Sequence, residues 1–365
     1  MINRLNKIKS ILSNNKLDAI ALVPGSNFKF FTGGDFALME RPTILFILQD
    51  RKPLVILPKL EIESFEKLNF DAEIIEWQDS DGYKHAFNTA KNKLNNLKRI
   101  GVEGQRMRYF ESDALKQAFE SSEIIDSHKT IMSCRICKDN SEIESIKEAI
   151  KISEIALKNV IAQISIGISE VEIKNLLVQE MYKNGAEGMP FQPLVLISEN
   201  SALPHGHSQE KNKLQIGDPL LIDFGCSYNG YNSDITRTFF FKDVKEDYRK
   251  IYEAVLNANQ IGLELLKPNT TMHEIDNAVL NSLINSGYKE LIVHKTGHGL
   301  GLDVHEDPYI MRKNYEELKD GMVVTIEPGL YKFGDLGIRI EDDVLITSTG
   351  YKCLTSFSKE MRIIK

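Results

Sequence analysis

The chain has 365 residues, and its hydrophobic fraction of 42% is enough to fill the cores of two domains. The formal net charge of −7, with acidic and basic residues interspersed, argues against non-specific nucleic-acid binding, because such binding requires a basic face. The N-terminus lacks the apolar segment of a signal peptide, and no stretch reaches the ~18 apolar residues of a membrane span, so we expect a cytoplasmic protein.

The first part of the chain, residues 1–132, is predicted to be an α/β domain. Two apolar runs flank a polar Gln49-Asp50-Arg51-Lys52 turn, a pattern typical of a β-hairpin. This part contains no catalytic constellation, so we expect a structural or oligomerisation domain that shapes the cleft of its neighbour. The predicted elements are a helix at about 3–15 and strands at 18–23, 43–48, 53–57 and 99–102.

Cys134 and Cys137 have the spacing of a redox pair or of half a zinc site. No second cysteine pair or nearby histidine completes such a site. We therefore expect all four cysteines to be free thiols in a reducing compartment.

The second part, residues 138–365, contains a pattern that occurs twice. Each copy has a long helix, then a second helix that opens with a capping box, then a strand that begins after glycine and ends in a carboxylate. Gly217 stands six residues before Asp223, and Gly321 stands six residues before Glu327. The predicted capping boxes are Ser141 to Glu144 before the first long helix, then Ser169 to Glu172 and Thr271 to Glu274.

This repetition predicts two half-domains related by a pseudo-two-fold axis, with acidic residues from both meeting at the seam. Helix-helix-strand segments are common, however, so a chance resemblance between the two copies remains the alternative.

Asp223 and Asp234 lie on two apolar strands joined by Asn229-Gly230, a strong signal for a two-residue hairpin turn. Such a turn would place Asp234 opposite Gly225, which makes Asp223 its diagonal neighbour on the same face of the sheet. Two buried carboxylates at that range repel one another, and a cation between them removes the repulsion.

The second copy also has charged residues on apolar strands. Arg339 and Glu341 alternate with isoleucines, so both should share one face of a strand, although solvated edge strands can carry such charges too. Glu327 closes an apolar run and is hard to explain as a core residue. Three of the eight histidines, His294, His298 and His305, fall within twelve positions, and glycines flank His298.

Four carboxylates and one imidazole are too many ligands for one small ion but suit two divalent ions that share carboxylates. Oxygen-rich ligation with a single nitrogen favours Mn²⁺, with Co²⁺, Fe²⁺ or Zn²⁺ as alternatives. Two such ions lower the pKa of water between them, which is the property a hydrolase needs. The candidate metal ligands are Asp223, Asp234, His298, Glu327 and Glu341.

The residues of 138–365 resemble the proline-peptidase branch of the pita-bread metallopeptidases, which includes aminopeptidase P, Xaa-Pro dipeptidase and the related methionine aminopeptidases. The matching segments are Asn200-Ser-Ala-Leu-Pro-His205, Leu221-Ile-Asp-Phe-Gly225, Asp234-Ile-Thr-Arg-Thr-Phe239, His294-Lys-Thr-Gly-His-Gly-Leu-Gly-Leu-Asp-Val-His-Glu306, Gly321-Met-Val-Val-Thr-Ile-Glu-Pro-Gly-Leu330 and Gly337-Ile-Arg-Ile-Glu-Asp342. Glu199 departs from the glycine that relatives commonly carry and could alter a loop near the cleft.

The resemblance implies an α/β N-terminal domain followed by an α+β pita-bread catalytic domain. It further implies that Asp223 binds one ion, that His298 and Glu327 bind the other, and that Asp234 and Glu341 bridge both. The same resemblance assigns substrate-side roles to His205, His294 and His305 and a supporting role to Arg339.

From this resemblance we expect hydrolysis of the bond between an N-terminal residue and a following proline. His305 would stabilise the oxyanion, Glu327 would carry a proton to the proline nitrogen, and His205 and His294 would shape the proline pocket.

Two rival functions stay open. One is a methionine aminopeptidase or an aminopeptidase of broader specificity, although methionine aminopeptidases usually lack the N-terminal domain. The other is a catalytically silent binding protein on the same scaffold; creatinase shares the layout but lacks the metal ligands, all of which are present here. Neither Tyr309 nor Arg312 settles whether the substrate is a dipeptide or a longer peptide. We expect a homodimer, although no residue pattern predicts it.

Overall fold

The computed structural model describes residues 2–365, apart from the side chains of residues 2 and 3. The chain divides into two compact units, the first ending at Arg135 and the second running from Ile136 to Lys365. Among the helices of residues 2–365, none has the length and apolar character needed to cross a bilayer. The four cysteines, all within these residues, are free thiols.

The first unit is a mixed β-sheet with helices, as expected for an α/β domain. Its elements are α1 (Ile2–Asn14), β1 (Ala19–Leu22), α2 (Ser26–Thr32), β2 (Ile44–Leu48), β3 (Leu54–Pro58), α3 (Ile62–Glu66), β4 (Glu73–Trp77), α4 (Lys84–Lys93), β5 (Arg99–Val102), α5 (Tyr109–Ala118), β6 (Glu123–Asp126) and α6 (His128–Met132). The sheet has the strand order β4-β3-β2-β1-β5-β6, and the predicted hairpin of β2 and β3 is present as an antiparallel pair.

The second unit begins with two helices and continues into antiparallel sheet, and this order then repeats. The first copy consists of α7 (Asn140–Ile161), α8 (Glu170–Lys183), β7 (Leu194–Ile197), β8 (Pro219–Phe224), β9 (Ser227–Tyr228), β10 (Tyr231–Asn232) and β11 (Ile235–Phe241). The second consists of α9 (Glu246–Glu264), α10 (Met272–Asn285), β12 (Gly297–Gly299), β13 (Glu306–Ile310), β14 (Val323–Ile326), β15 (Gly329–Lys332), β16 (Leu336–Arg339), β17 (Asp342–Thr347), β18 (Gly350–Cys353) and β19 (Ile363–Ile364).

The two copies correspond in detail. Ser169 and Thr271 form the N-caps of α8 and α10 through the predicted capping boxes. Each N-cap residue also forms an isolated β-bridge with a residue that lies four positions before a glycine with positive φ. Ser169 pairs with Lys213, which precedes Gly217, and Thr271 pairs with Glu317, which precedes Gly321. This agreement confirms that the two halves repeat one structure, because chance similarity would not reproduce the same bridge and the same turn.

One predicted capping box was wrong. The helix α7 is capped by Asp139, whose carboxylate accepts from the backbone N–H of Glu142 at 3.0 Å, while the Glu142 carboxylate accepts from the N–H of Asp139 at 2.7 Å. Ser141 lies inside the first turn and donates its hydroxyl to Asp139. Two overlapping segments have the capping-box pattern, one starting at Asp139 and one at Ser141. The helix uses the first, in which the backbone of Asp139 is extended as an N-cap requires.

Apolar side chains of α7, α8 and strands β7, β8 and β11 form one core of the second unit. The helices α9 and α10 pack on the opposite side of β11 and on strands of the second copy, with Phe240, Leu330 and Ile338 in one cluster and Val324, Ile326 and Val344 in another. The strands that end in carboxylates are therefore covered by apolar layers.

Candidate active site

The hairpin that contains Asp223 and Asp234 has the predicted register. Thr236 pairs with Asp223, and Tyr231 pairs with Tyr228, so the turn consists of Asn229 and Gly230 alone. Both turn residues have positive φ, 50° and 77°, as a type I′ turn requires. The diagonal placement of the two aspartates on one face is thereby confirmed.

The other half reaches this hairpin through Thr236. The backbone N–H of Glu341 donates to the carbonyl of Thr236 at 3.1 Å. The Thr236 hydroxyl donates to Oε2 of Glu341 at 2.7 Å and accepts from Nε of Arg339 at 3.0 Å. Glu341 lies between β16 and β17, where the chain passes from one sheet to another. The side chains of Glu341 and Arg339 both contact the Thr236 hydroxyl, so the two residues still share a face.

The structure brings all five predicted metal ligands together. Their candidate ligand atoms form overlapping groups in which every atom lies within 4.8 Å of the others, and His305 belongs to one of these groups as well. Asp234, His298 and Glu341 each occur in two groups. Each of the two carboxylates has two oxygens and could contact two ions, whereas Nδ1 of His298 donates to the carbonyl of Gly299, which leaves one nitrogen for one ion. The groups are Asp223, Asp234 and Glu341; His298, Glu327 and Glu341; and Asp234, His298 and His305.

The carboxylates of this cluster repel one another when they are ionised. Burial, and then the neighbouring Glu341, raises the pKa of Asp234 well above its ordinary value. Burial, then Glu327 and Asp223, does the same to the pKa of Glu341, and burial raises the pKa of Glu327 to about 7. Such a cluster is unfavourable unless protons or cations neutralise it.

Three atoms of the cluster, one imidazole nitrogen and two carboxylate oxygens, are acceptors that face one another. His298 is 1% exposed, and burial holds its pKa well below the usual range, so the ring is neutral. Its Nδ1 donates to the carbonyl of Gly299 at 3.0 Å, which leaves the lone pair of Nε2 directed at Oε1 of Glu327, 3.4 Å away, and at Oδ2 of Asp234, 3.6 Å away. Acceptors that face one another at this range could hold a metal ion.

Arg339 donates hydrogen bonds to an aspartate of the cluster and to a neighbouring tyrosine. It is 4% exposed, donates Nη2 to Oδ2 of Asp223 and donates Nη1 to the hydroxyl of Tyr331. The other oxygen of Asp223, Oδ1, is buried and has no hydrogen-bond partner among the described residues. A buried carboxylate oxygen without a donor is costly, which marks Oδ1 as a position for a cation.

His294 is joined to the cluster through the hydroxyl of Tyr331. Burial and the nearby Arg339 lower the pKa of His294 to about 4, so the ring is neutral near pH 7. Its Nδ1 donates to the carbonyl of Lys295 at 2.7 Å, and its Nε2 accepts from the Tyr331 hydroxyl at 2.8 Å. This chain of contacts fixes the ring beside the cavity.

A cavity of about 570 Å³ opens over the cluster. All the predicted site residues line it, including His205 and His305, whose rings are available at its surface. The ring of His305 packs at a steep angle against that of His298, with centroids 4.1 Å apart. The apolar part of the wall comes from Phe191, Leu194, Pro204 and Val304.

Three contributors to the site were missed in the sequence. Thr236 occupies the alternate position after Asp234, so strand periodicity could have placed it on the same face. Tyr331 follows Glu327 on a short apolar strand, and nothing in its spacing indicates a contact with His294. Lys295 lies inside the quoted histidine motif, but its motif position does not reveal that its side chain lines the cavity.

Two half-domains that direct buried carboxylates and one imidazole to a shared seam define the class of the pita-bread metallopeptidases. The profile of metallopeptidase family M24 matches residues 144–348, and that of the creatinase/prolidase N-terminal domain matches residues 4–137. The chain belongs to metallopeptidase family M24 and is a peptidase.

Similar proteins cover nearly the whole chain. The Bacillus subtilis protein YkvY, whose name as a dipeptidase is provisional, is 33% identical over 364 residues, which is 100% of both chains. An Xaa-Pro dipeptidase from Bacillus anthracis superposes with a TM-score of 0.90 at 30% identity and covers 99% of each chain. An X-Pro aminopeptidase from Thermotoga maritima superposes with a TM-score of 0.86, also at 30% identity and 99% of each chain. Similar solved structures therefore include both a dipeptidase and an aminopeptidase.

Proposed function

We propose that this protein is a dinuclear metallopeptidase that hydrolyses the bond between an N-terminal residue and a following proline. The observation that carries the proposal is the set of overlapping ligand groups, in which the carboxylates of Asp234 and Glu341 each belong to two groups. Both similar structures named above are, by name, peptidases of Xaa-Pro substrates. The creatinase/prolidase N-terminal domain favours the proline-specific branch over methionine aminopeptidases.

The residues present fit two divalent cations. The unpartnered Oδ1 of Asp223 and the lone pair of His298 that faces Glu327 are both acceptors in need of a positive charge. In the proposal Asp223 would hold one ion, His298 and Glu327 would hold the other, and Asp234 and Glu341 would contribute to both. Oxygen-rich donors with one nitrogen favour Mn²⁺, followed by Co²⁺, Zn²⁺ or Fe²⁺.

Bound there, the ions would polarise the scissile carbonyl and acidify the attacking water. The chain itself supplies orientation and proton transfer. The ring of His305, at the cavity surface beside His298, is placed to donate to the developing oxyanion. Glu327, whose side chain is 15% exposed, can carry a proton to the leaving proline nitrogen. His205 and His294 bound the space for the proline ring.

The test is a metal-reconstituted assay of Xaa-Pro dipeptides, Xaa-Pro-Yaa tripeptides and matched Xaa-Ala peptides. We expect turnover of the proline substrates that is abolished by chelation and restored by Mn²⁺. His298→Ala should lower kcat/KM by at least about a hundredfold, since losing a ligand costs no less than losing its supporting contacts. His85→Ala, at an exposed position on α4, is the matched control and should retain activity. Full activity of His298→Ala would contradict the proposal.

The same assay separates the rivals. Cleavage of Met-Ala peptides in preference to Met-Pro peptides would indicate a methionine or broader aminopeptidase. A protein that binds no metal by elemental analysis and cleaves none of these peptides would be a silent scaffold. A homodimer and a cytoplasmic location, which suits the four free thiols, are part of the proposal, and light scattering and cell fractionation test them.

A further inference from the structure

The wall of the active-site cavity contains two side chains with a permanent positive charge at neutral pH, Arg339 and Lys295. Each of the three guanidinium nitrogens of Arg339 already donates a hydrogen bond, to Thr236, Tyr331 and Asp223, and the last of these is an ion pair. Arg339 is 4% exposed, so its role is to hold these groups in place.

Lys295 has no such partners. Among residues 2–365 its ammonium makes neither a hydrogen bond nor an ion pair, and its contact is with the ring of Tyr309, whose centroid lies 5.0 Å from Nζ. The side chain is partly buried in the cavity wall. A cation–π contact offsets only part of the desolvation of a lysine, so the ammonium remains able to bind an anion.

The backbone that carries Lys295 is held firmly. The next residue, Thr296, donates both its N–H and its hydroxyl to Oδ1 of the buried Asp276 on α10, at 3.1 and 2.7 Å. The carbonyl of Lys295 accepts from the ring of His294. Lys295 is thus presented from a rigid segment, which favours a defined binding role.

Two divalent ions would offset the charge of all four cluster carboxylates, Asp223 included, so the cluster would keep no surplus negative charge for Lys295. Lys295 lines the same cavity as Glu327 and His298. In a peptide, the carboxyl carbon of the proline lies within about 4 Å of the scissile carbonyl carbon, as three bond lengths require. A dipeptide bound at the cluster would therefore have its C-terminal carboxylate inside the cavity that Lys295 lines.

We propose that Lys295 binds the free C-terminal carboxylate of an Xaa-Pro dipeptide and so makes this protein a dipeptidase. The inference rests on the proposed function and deepens it. A longer peptide has a neutral amide in place of that carboxylate, which leaves the ammonium without an anion. Arg312, the other cation considered from the sequence, is exposed and does not line the cavity. Its charge and its backbone interact with the carboxylate of Asp276 instead.

The test compares Ala-Pro with Ala-Pro-amide and Ala-Pro-Ala on the metal-loaded wild type. Removing the carboxylate from the substrate probes the contact without altering the protein. We expect kcat/KM for the acid to exceed that for the amide by about tenfold to a hundredfold, the range of a charge-assisted hydrogen bond.

Lys295→Met keeps the length of the side chain and removes its charge, so the ratio of acid to amide should fall towards one. Lys295→Arg keeps the charge and should retain most of the ratio. Inhibition by free proline against prolinamide gives a second readout, and Lys295→Met should abolish the difference. Thermal unfolding of each variant checks that it is folded.

Equal turnover of acid and amide by the wild type, or an unchanged ratio in Lys295→Met, would overturn the inference while leaving the proposed function intact. A wild type that cleaves no Xaa-Pro substrate would overturn both. The substrate comparison needs no variant, so it decides the matter even if Lys295→Met does not fold.

Discussion

At the scale of single residues, the hydroxyl of Thr236 connects the two halves of the candidate metal centre. It donates to Glu341 and accepts from Arg339, which in turn donates to Asp223. Ligands that are oriented by hydrogen bonds from outside bind metal more tightly, because less freedom is lost when the ion enters. The uncharged side chain of Thr236 thus orients the carboxylate of Glu341 directly and that of Asp223 through Arg339.

Thr236→Val should weaken metal binding, because valine has nearly the shape of threonine but cannot donate to Glu341 or accept from Arg339. We expect a loss of affinity of about tenfold to a hundredfold, measured by calorimetric titration of the metal-free protein with Mn²⁺. Thr236→Ser retains the hydroxyl and serves as the control. Unaltered affinity in Thr236→Val would show that the hydroxyl does not orient the ligands.

At the scale of elements, the loop between β7 and β8 is organised by one carboxylate on α8. Glu170 is fully buried and accepts from the backbone of Ile197 at 2.6 Å and of Gln209 at 2.7 Å. It also accepts from the amide groups of Asn200 and Asn212. The loop that these contacts hold includes His205, so the first residue of a helix determines where a cavity residue lies.

Glu170→Gln should destabilise the protein by about 1 to 3 kcal/mol, because the new amide presents a donor to groups that are themselves donors. Urea unfolding measures the loss. Glu172→Gln, two residues further along the helix, is the control: Glu172 completes the capping box of Ser169, and glutamine can accept the same hydrogen bond. Comparable stability of the two variants would contradict this account of the loop.

Local sequence patterns predicted some of the turns, caps and strands of this protein and missed others. The turn at Asn229-Gly230 and the cap at Ser169 were predictable because each depends on residues within four positions. The cap at Asp139 was missed because a second sequence with the same pattern overlaps it. The break between β16 and β17 was also missed, since the alternation around Glu341 continues across it and the change of sheet depends on distant strands.

At the scale of the whole molecule, the seam between the half-domains concentrates like charges that a metal-free protein tolerates poorly. Burial raises the pKa values of Asp234, Glu341 and Glu327. A carboxyl whose pKa is raised by folding binds more protons in the folded state than in the unfolded state. Its cost to stability is absent below the ordinary pKa near 4 and grows as pH rises towards the folded value, about 7 for Glu327.

The stabilisation by metal should therefore increase with pH. We expect the melting temperature of the chelated protein to fall between pH 5 and pH 8, and the difference from the Mn²⁺-loaded protein to widen, since the ions bind the deprotonated carboxylates. Differential scanning calorimetry with and without chelator measures this. In Glu341→Gln, one buried charge is removed, so the chelated protein should lose less stability as pH rises. A difference that does not vary with pH would contradict the linkage.

The sequence by itself identified the repeated half-domains, the hairpin register and the five candidate ligands. Carboxylates at the ends of apolar strands are costly in a core, so their presence indicates a function even before their neighbours are known.

The tertiary structure decided which side chains support the cluster and which remain available to a substrate. Lys295 and Arg339 are both basic residues inside sequence motifs, yet Arg339 is ion-paired with Asp223 whereas Lys295 has no anionic partner among residues 2–365. That difference depends on which strands lie side by side, because the partners of a side chain come from segments more than a hundred residues away, beyond the range of any local pattern.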